Sequence, residues 1–181
     1  MMYYFLVASL PLLELNAPAP FPTAEFDGIL QENLDERAQR ILFACRGNGQ
    51  YPDNHPVYRQ MALFEEYLRN RIARKRADRA GIHFESADPE EYFSEVDFGL
   101  AQASGCADPL ERERLVDKLR WERLEELSIG HDFDLDALII YRCKLFIVNK
   151  YAGFRTETGT VHFTAALERI INSAAKPAKE L

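Results

Sequence analysis

The chain has 181 residues, enough for one domain with a sizeable core, and 47% of them are hydrophobic. Its formal net charge of −7 disfavours general binding to nucleic acid, because that binding is driven by the neutralisation of phosphates. The three cysteines, Cys45, Cys106 and Cys143, are odd in number and lack metal-type spacing, so they predict a reducing compartment, the cytoplasm.

Charge is unevenly distributed along the chain. Up to Asp136 there are 15 Lys and Arg residues against 26 Asp and Glu residues, whereas the remainder has 7 against 3. Such asymmetry is typical of a protein that binds another protein, or of two parts of one chain that pack together.

The apolar run at residues 1–10 has some features of a signal peptide. No Lys or Arg precedes it, however, and Pro11 and Glu14 interrupt it early, so we expect neither secretion nor a membrane anchor. Residues 3–10 instead predict a short buried element, and their length and composition leave strand and helix both open. The prolines at residues 16–22 predict an extended connector.

Apolar residues that recur every three or four positions predict that the remainder of the chain is helical. The first long helix is expected at residues 23–44, with Thr23 as its N-cap. The second is expected at residues 56–80, because Pro56 suits the first position of a helix and Gly81 suits the C-cap.

Two Asp-Pro pairs predict the next helix starts. Asp88 and Asp108 each supply an N-cap acid, followed by proline at the first helical position and glutamate at the third. These helices are expected to end near residues 104 and 128. The remaining expected elements are a turn at 153–159, a last helix at about 161–174 and, after a single domain at 1–175, a frayed tail at 176–181.

Residues 133–151 predict a central helix. Asp134 is a suitable N-cap, and apolar residues cover nearly the whole circumference of the helix that follows it. A helix of that kind is normally surrounded by protein, and Arg142, Lys144 and Lys150 exclude a membrane span. We therefore predict an all-α fold in which about six helices pack around this one.

The adjacent His131 and Asp132 resemble the metal-binding pair of all-helical phosphohydrolases. Such a site needs a complete ligand set. His55 and His83 are candidates for its upstream histidine, but no aspartate follows Asp136 to supply its downstream acid. We therefore predict that the histidine lies in an interhelical loop and that Asp132 assists the helix cap. The catalytic alternative requires an upstream histidine within about 6 Å of the pair.

Two other metal motifs fail on their spacing. The acids at residues 132, 134 and 136 resemble the start of a calcium loop, but Ala137 and Cys143 occupy positions that need Gly and Glu. His83 and Glu85 have the spacing of half a zinc deaminase site, yet no Pro-Cys-x-x-Cys sequence follows. The sequence therefore predicts no metal, no cofactor and no catalytic residue.

Basic side chains are the candidate contacts with a partner: Arg69, Arg71, Arg74, Arg142, Lys144 and Lys150. For the cluster at residues 69–79, a match with the acidic run at 85–97 or a solvated face is favoured over nucleic acid, because aromatic interleaving is missing. Arg142 and Lys144 project from different sides of the central helix. For these two we favour a core ion pair with an acid at residues 111–126 over a partner contact.

The start of the chain, YYFLVASLP at residues 3–11, resembles a bacterial family whose members open with YYYLVASLP. The resemblance spans almost the whole chain and includes Phe64-Glu65-x-x-Leu68-Arg69-Asn70, Asp108-Pro109 leading to Arg120-Trp121, and Phe133-Asp134-Leu135-Asp136 leading to Tyr141 and Lys144-Leu145. The opening and the Phe-Asp-Leu-Asp stretch are its specific parts. One departure is Asn149-Lys150, where the family is expected to have an arginine.

That family is associated with bacterial V/A-type rotary ATPases and resembles their C (or d) subunit, an all-helical socket between the central shaft and the membrane ring. The resemblance implies a non-enzymatic subunit that acts through packing and charge complementarity, held at the inner membrane by the complex. The chain is roughly half the length of that subunit, so one copy would not supply the whole socket. The alternatives are a metal-dependent phosphohydrolase using His131 and Asp132, and a stand-alone helical adaptor.

Overall fold

A computed structural model describes residues 2–85, 91–152, 154 and 156–174. All regular secondary structure in these residues is helical, which confirms the predicted all-α class. The helices are α1 (Met2–Ser9), α2 (Thr23–Asn33), α3 (Glu36–Ala44), α4 (Pro56–Ala80), α5 (Ser94–Gly105), α6 (Pro109–Ser128), α7 (Leu135–Ala152) and α8 (Thr156–Ala174).

The first element is a helix rather than a strand. α1 packs against α7 through the buried Leu6 and the partly buried Tyr3 and Val7. The Tyr141 hydroxyl of α7 donates a hydrogen bond to the carbonyl of Pro11 (3.0 Å), so the segment that follows α1 is also held to α7.

The prediction of a single helix at residues 23–44 is wrong, because these residues form two helices, α2 and α3. Leu34 is extended (φ −115°, ψ 152°) and buried, and the Asp35 side chain accepts from the Ala38 N–H (2.8 Å) to start the second helix. Pro22 rather than Thr23 occupies the N-cap of α2, and the Thr23 hydroxyl accepts a hydrogen bond from Asn149 instead. A new cap at Asp35 lets the apolar sides of α2 and α3 both face the core.

The ends of three helices agree with the predictions. α4 ends at Gly81, whose left-handed conformation (φ 66°) allows its N–H to reach the carbonyls of the last turn. Asp108 caps α6 through the Leu110 N–H (2.9 Å), and Asp134 caps α7 through the Ala137 N–H (2.9 Å). Local chemistry therefore sets these ends.

Two other helix starts differ from the predictions. α5 begins at Ser94, and residues 91–93 are not helical because Phe93 turns inward onto Phe64 and Tyr67. Asp88, the predicted cap, lies outside the described residues. α8 begins at Thr156, earlier than expected, so residues 156–159 are helical rather than a turn. Gly153 and the predicted tail at 176–181 also lie outside the described residues.

One hydrophobic core has α7 at its centre. α7 packs against α1, α2, α3, α4 and α6, and its Leu138, Ile139 and Leu145 are fully buried. Among the side chains described, α8 contributes none to this core. In the same residues, no helix combines the length and the apolar character that crossing a membrane requires.

Gly99 allows α5 and α6 to approach each other closely. A Cβ added there would lie 2.5 Å and 2.9 Å from the two methyl carbons of Leu119, which is itself buried. We expect Gly99→Ala to be less stable than Gly105→Ala by about 1–3 kcal/mol, the usual cost of overpacking. Gly105 is the matched control, because it lies in the same helix and its added Cβ meets nothing within 4 Å.

Urea denaturation of the two variants and the wild type measures this difference. Gly105 is the last residue of α5, so its gain in helix propensity is the smaller of the two, and the measured difference is a lower limit on the cost of the contact with Leu119. Equal stability of the two variants would show that Leu119 moves aside at little cost.

Candidate functional site

A cleft of about 750 Å³ lies between α4, α5, α6 and α7 and is also lined by residues of the loop after α3. A volume of this size is typical of a ligand-binding pocket. The chain as a whole is acidic, but the lining of the cleft has more cations than carboxylates. It includes three carboxylates and seven cationic side chains: Arg69, Lys75, Arg76, Arg79, Arg112, Arg120 and Lys150.

The three carboxylates of the cleft are bound by two of its cations in an ionic network, which consists of Glu65, Glu113, Asp117, Arg120 and Lys150. Arg120 donates two hydrogen bonds to Glu65 (2.7 and 2.9 Å) and one to Asp117 (2.7 Å). Lys150 lies 2.8 Å from Asp117 and also contacts Glu113. Burial alone would lower the pKa of Arg120, but the two acids outweigh it and raise that pKa. The network therefore joins α4, α6 and α7 as charged partners.

The cations on the other side of the cleft are less fully paired. Arg79 and Arg112 each donate to a main-chain carbonyl, of Ser104 (3.4 Å) and Cys106 (2.7 Å). The Arg112 Nε is buried and finds no hydrogen-bond acceptor in the part of the chain that the structure describes. Among those residues, Arg76 forms no ion pair with a carboxylate within 4 Å. In the described part of the chain, this part of the cleft therefore has positive charge without a carboxylate partner.

Arg142 is buried inside the protein, at 5% exposure. Its Nε and Nη2 donate to the Asp27 carboxylate (2.8 and 3.0 Å), and its Nη1 donates to the carbonyls of Leu42 (2.9 Å) and Cys45 (2.6 Å). An acid of α6 was expected as its partner, and that expectation is wrong. The side chain points toward α2 and the end of α3, where helix carbonyls also need donors.

Lys144 and Lys150 both pair with acids of α6. An ion pair with this helix, in the core, was expected for Lys144, whereas none was expected for Lys150. Lys144 lies 2.8 Å from Glu125 and 5.2 Å from the centre of the Trp121 ring. Glu125 is half exposed, so this is a surface ion pair. Lys150 belongs to the ionic network of the cleft.

The three predicted arginines of α4 have different surroundings. Arg69 lines the cleft, where it contacts Glu65 and the carbonyl of Gly49. Arg71 contacts Asp97 of the acidic run, which is the predicted charge match. Burial alone would raise the pKa of Asp97, but hydrogen bonds from Arg71 and two tyrosines outweigh it and lower that pKa. Arg74 is exposed and lies outside the cleft.

His131 lies beside Asp134 and Asp136 rather than Asp132. Its Nδ1 is 2.7 Å from Asp134 and 3.7 Å from Asp136, and His55 Nε2 is 3.4 Å from the other oxygen of Asp136. The hydrogen bond to Asp134 raises the pKa of His131, so the group favours an imidazolium held by carboxylates.

The same group could offer ligands to a divalent cation. The ligand atoms of His131, Asp134 and Asp136 all lie within 4.8 Å of one another. One oxygen of Asp134 already caps α7, however, and Asp132, which was expected to assist that cap, is exposed. His83 pairs with Glu85 instead (3.1 Å). The acids of this cluster are therefore Asp134 and Asp136, whereas the phosphohydrolase alternative uses His131 with Asp132.

Exposed aromatic residues form a patch where α1 meets the start of α7. This aromatic patch consists of Tyr4, Phe5 and Phe133, which are 52%, 73% and 47% exposed. The centre of the Tyr4 ring lies 4.5 Å from that of Phe133 and 5.7 Å from that of Phe5. The two most specific segments of the family resemblance therefore meet at the surface.

A second apolar surface lies on α8. Phe163, Leu167 and Ile171 recur every four residues, so they share one side of the helix, and each is at least 45% exposed. We call these three residues the α8 face. Exposed apolar groups of this kind mark interaction surfaces.

Sequence reasoning did not find the acids of the buried ion pairs. Asp27, Glu65 and Asp117 lie in ordinary helices, and their partners come from distant parts of the chain. One signal for the Glu65–Arg120 pair was available in the sequence, because both residues belong to motifs of the family resemblance. The structure shows that they bind each other.

The described residues form an all-helical protein with a charged cleft and exposed apolar surfaces. The chain belongs to a family described as "Protein of unknown function (DUF2764)", whose sequence profile matches residues 60–174. That match covers most of α4 and all of α5, α6, α7 and α8. No curated protein matches the chain, and no solved structure matches it.

Proposed function

We propose that the chain is a non-catalytic subunit of a V-type rotary ATPase, similar to the C (or d) subunit, which couples the central shaft to the membrane ring through protein contacts. The observation that carries this proposal is the aromatic patch. The two most specific segments of the family resemblance, the opening of the chain and the Phe-Asp-Leu-Asp stretch, meet there, and their aromatic rings are exposed to solvent. Aromatic side chains grouped at a surface are typical of protein interfaces.

Two further features support a coupling role. The ionic network and the Arg142–Asp27 pair connect α2, α3, α4, α6 and α7 through buried ionic contacts. A subunit that transmits torque needs rigid connections of this kind between its helices. The α8 face supplies a second apolar surface, so the protein has contacts to offer to more than one subunit. In this proposal the protein is cytoplasmic, lies at the inner membrane through the complex, and needs no cofactor or nucleic acid.

The basic residues predicted as partner contacts divide into two groups under this proposal. Arg69 and Arg74 are exposed and remain candidates, with Arg71 beside them on α4. Arg142 uses four of its five donors inside the chain, and Lys144 and Lys150 pair with α6. The exposed surface of α4 is therefore the better candidate.

Affinity purification of the tagged full-length protein from membranes of its native host tests the proposal. We expect mass spectrometry to find head, shaft or ring subunits of the ATPase at near-stoichiometric amounts. The double variant Tyr4→Ser/Phe5→Ser should reduce their recovery by about tenfold or more, since aromatic residues dominate binding energy at interfaces. Its thermal midpoint should be nearly unchanged, because both side chains are exposed.

Phe98→Ser is the matched control, because Phe98 is also an exposed aromatic residue but lies on α5. It should leave the recovery intact. A clean purification from membranes that contain the ATPase, with none of its subunits recovered, would overturn the proposal. An equal loss with Phe98→Ser would show that the aromatic patch has no special role.

A metal-dependent phosphohydrolase is the alternative that a specific observation favours. That observation is the cluster of His131, Asp134 and Asp136. Metal analysis of the purified protein, followed by a phosphatase assay with the metal that is found, tests it. Absence of stoichiometric metal would reject it and leave the stand-alone adaptor as the remaining alternative to the ATPase subunit.

A further inference from the structure

We propose that the cleft binds an acidic segment of a partner protein, whose carboxylates lie along the α4 side. The inference rests on the proposed function to the extent that it takes the occupant to be a protein partner. It is carried by the charge of the cleft and by the arrangement of the cations along α4.

The cations of α4 form a row rather than a cluster. Arg69, Arg76 and Arg79 all line the cleft, and the first and last are ten residues apart, which is about 15 Å along a helix. Ile72 and Ala73 lie between them on the same side. A single phosphate would need donors that converge on one point. A row of this length instead matches carboxylates spaced along a polypeptide segment.

The walls of the cleft also favour a polypeptide. Ile72 and Ala73 of α4 and Phe146 of α7 are partly exposed and add apolar surface beside the charged row. A segment with acids on one side and apolar residues on the other would satisfy both kinds of surface at once. A highly charged small anion would leave this exposed apolar surface uncovered.

The three acids that line the cleft do not occupy this role. Glu65, Glu113 and Asp117 are held by Arg120 and Lys150 in the ionic network. Arg112 lines the same cleft and donates to the carbonyl of Cys106 rather than to a carboxylate. An incoming carboxylate would neutralise the charge along α4.

Fluorescence anisotropy with the full chain tests the inference directly. The probe is a labelled peptide with glutamates at every third or fourth position and leucines between them, titrated at low ionic strength. We expect Arg76→Glu/Arg79→Glu to weaken binding of the peptide by about tenfold or more, because like charges facing each other strongly disfavour association. Both side chains are exposed, so the helix content should be unchanged by circular dichroism.

Arg40→Glu/Arg59→Glu is the matched control. Both residues are exposed, Arg40 on α3 and Arg59 on α4, neither lines the cleft, and the change in net charge is the same. The control should bind the peptide within about threefold of the wild type, since charges outside the contact are largely screened. An equal loss in both variants would mean non-specific attraction, and no loss in either would mean that the cleft is not the site. Either result overturns the inference.

Inorganic pyrophosphate distinguishes a small anion from an acidic segment. Tight binding of pyrophosphate that depends on Arg76 and Arg79, without binding of the peptide, would also overturn the inference. The proposed function fails independently: peptide binding by the cleft with no ATPase subunit in the affinity purification would reject the ATPase assignment alone. ATPase subunits recovered without peptide binding would reject the cleft alone.

Discussion

Arg120→Leu is expected to lower the free energy of unfolding by about 3 kcal/mol, toward the lower end of the range for breaking one side of a buried ion pair. Glu65 and Asp117 are each 3% exposed, so removal of the guanidinium leaves buried carboxylates with fewer partners. The loss is not larger because Asp117 keeps Lys150 and Tyr151 as hydrogen-bond donors. Chemical denaturation at neutral pH measures it.

Lys118→Leu provides the control for Arg120→Leu. It removes a cation from the same helix, but Lys118 and its partner Glu122 are both more than half exposed. We expect a loss within about 1 kcal/mol there, as for other exposed ion pairs. The double variant Glu65→Leu/Arg120→Leu should recover part of the stability, because it removes a buried charge together with its partner. Similar losses for Arg120→Leu and Lys118→Leu would contradict this account.

Arg142→Met is expected to cost about 3 kcal/mol in the free energy of unfolding. The substitution keeps most of the apolar stem but removes donors from Asp27 and from the carbonyls of Leu42 and Cys45. Those carbonyls lie at the end of α3, where helix groups lack partners of their own. Thermal and chemical denaturation should both show the loss.

Lys144→Met, half a turn away on the same helix, is the control for Arg142→Met. Its partner Glu125 is half exposed, so we expect a change within about 1 kcal/mol. If Lys144→Met lost several kcal/mol while the folded fraction still assembled with its partners, the role of Lys144 would be structural. If Arg142→Met lost as little as Lys144→Met, the buried pair with Asp27 would have little net value.

Helix ends were predictable where the signal lies within one turn of the chain. Asp108, Asp134 and Gly81 act on neighbouring main-chain groups, and their effect does not depend on the rest of the fold. The break at Leu34 was missed because apolar residues continue with helical spacing on both sides of it. Asp35 was the available signal, since it is a good N-cap residue, but an aspartate inside a helical pattern is also common.

The charged pairs could be predicted only in part. A cation on a helix that is apolar all round needs a buried partner, and that reasoning correctly expected one for Arg142. It could not identify Asp27, which is 115 residues away in the chain. Glu65 and Arg120 are likewise 55 residues apart. Periodicity indicates which side of a helix is buried, but the relative placement of helices decides which charges meet.

The positive cleft has a consequence for how the proposed acidic partner would approach the protein. Because the chain as a whole carries a charge of −7, such a partner would be repelled by most of the surface and attracted near the cleft. Encounters would then be oriented before the two surfaces touch, within a range of about 8 Å at physiological ionic strength. Most unproductive collisions would end early, so selectivity would begin during diffusion rather than in the docked complex.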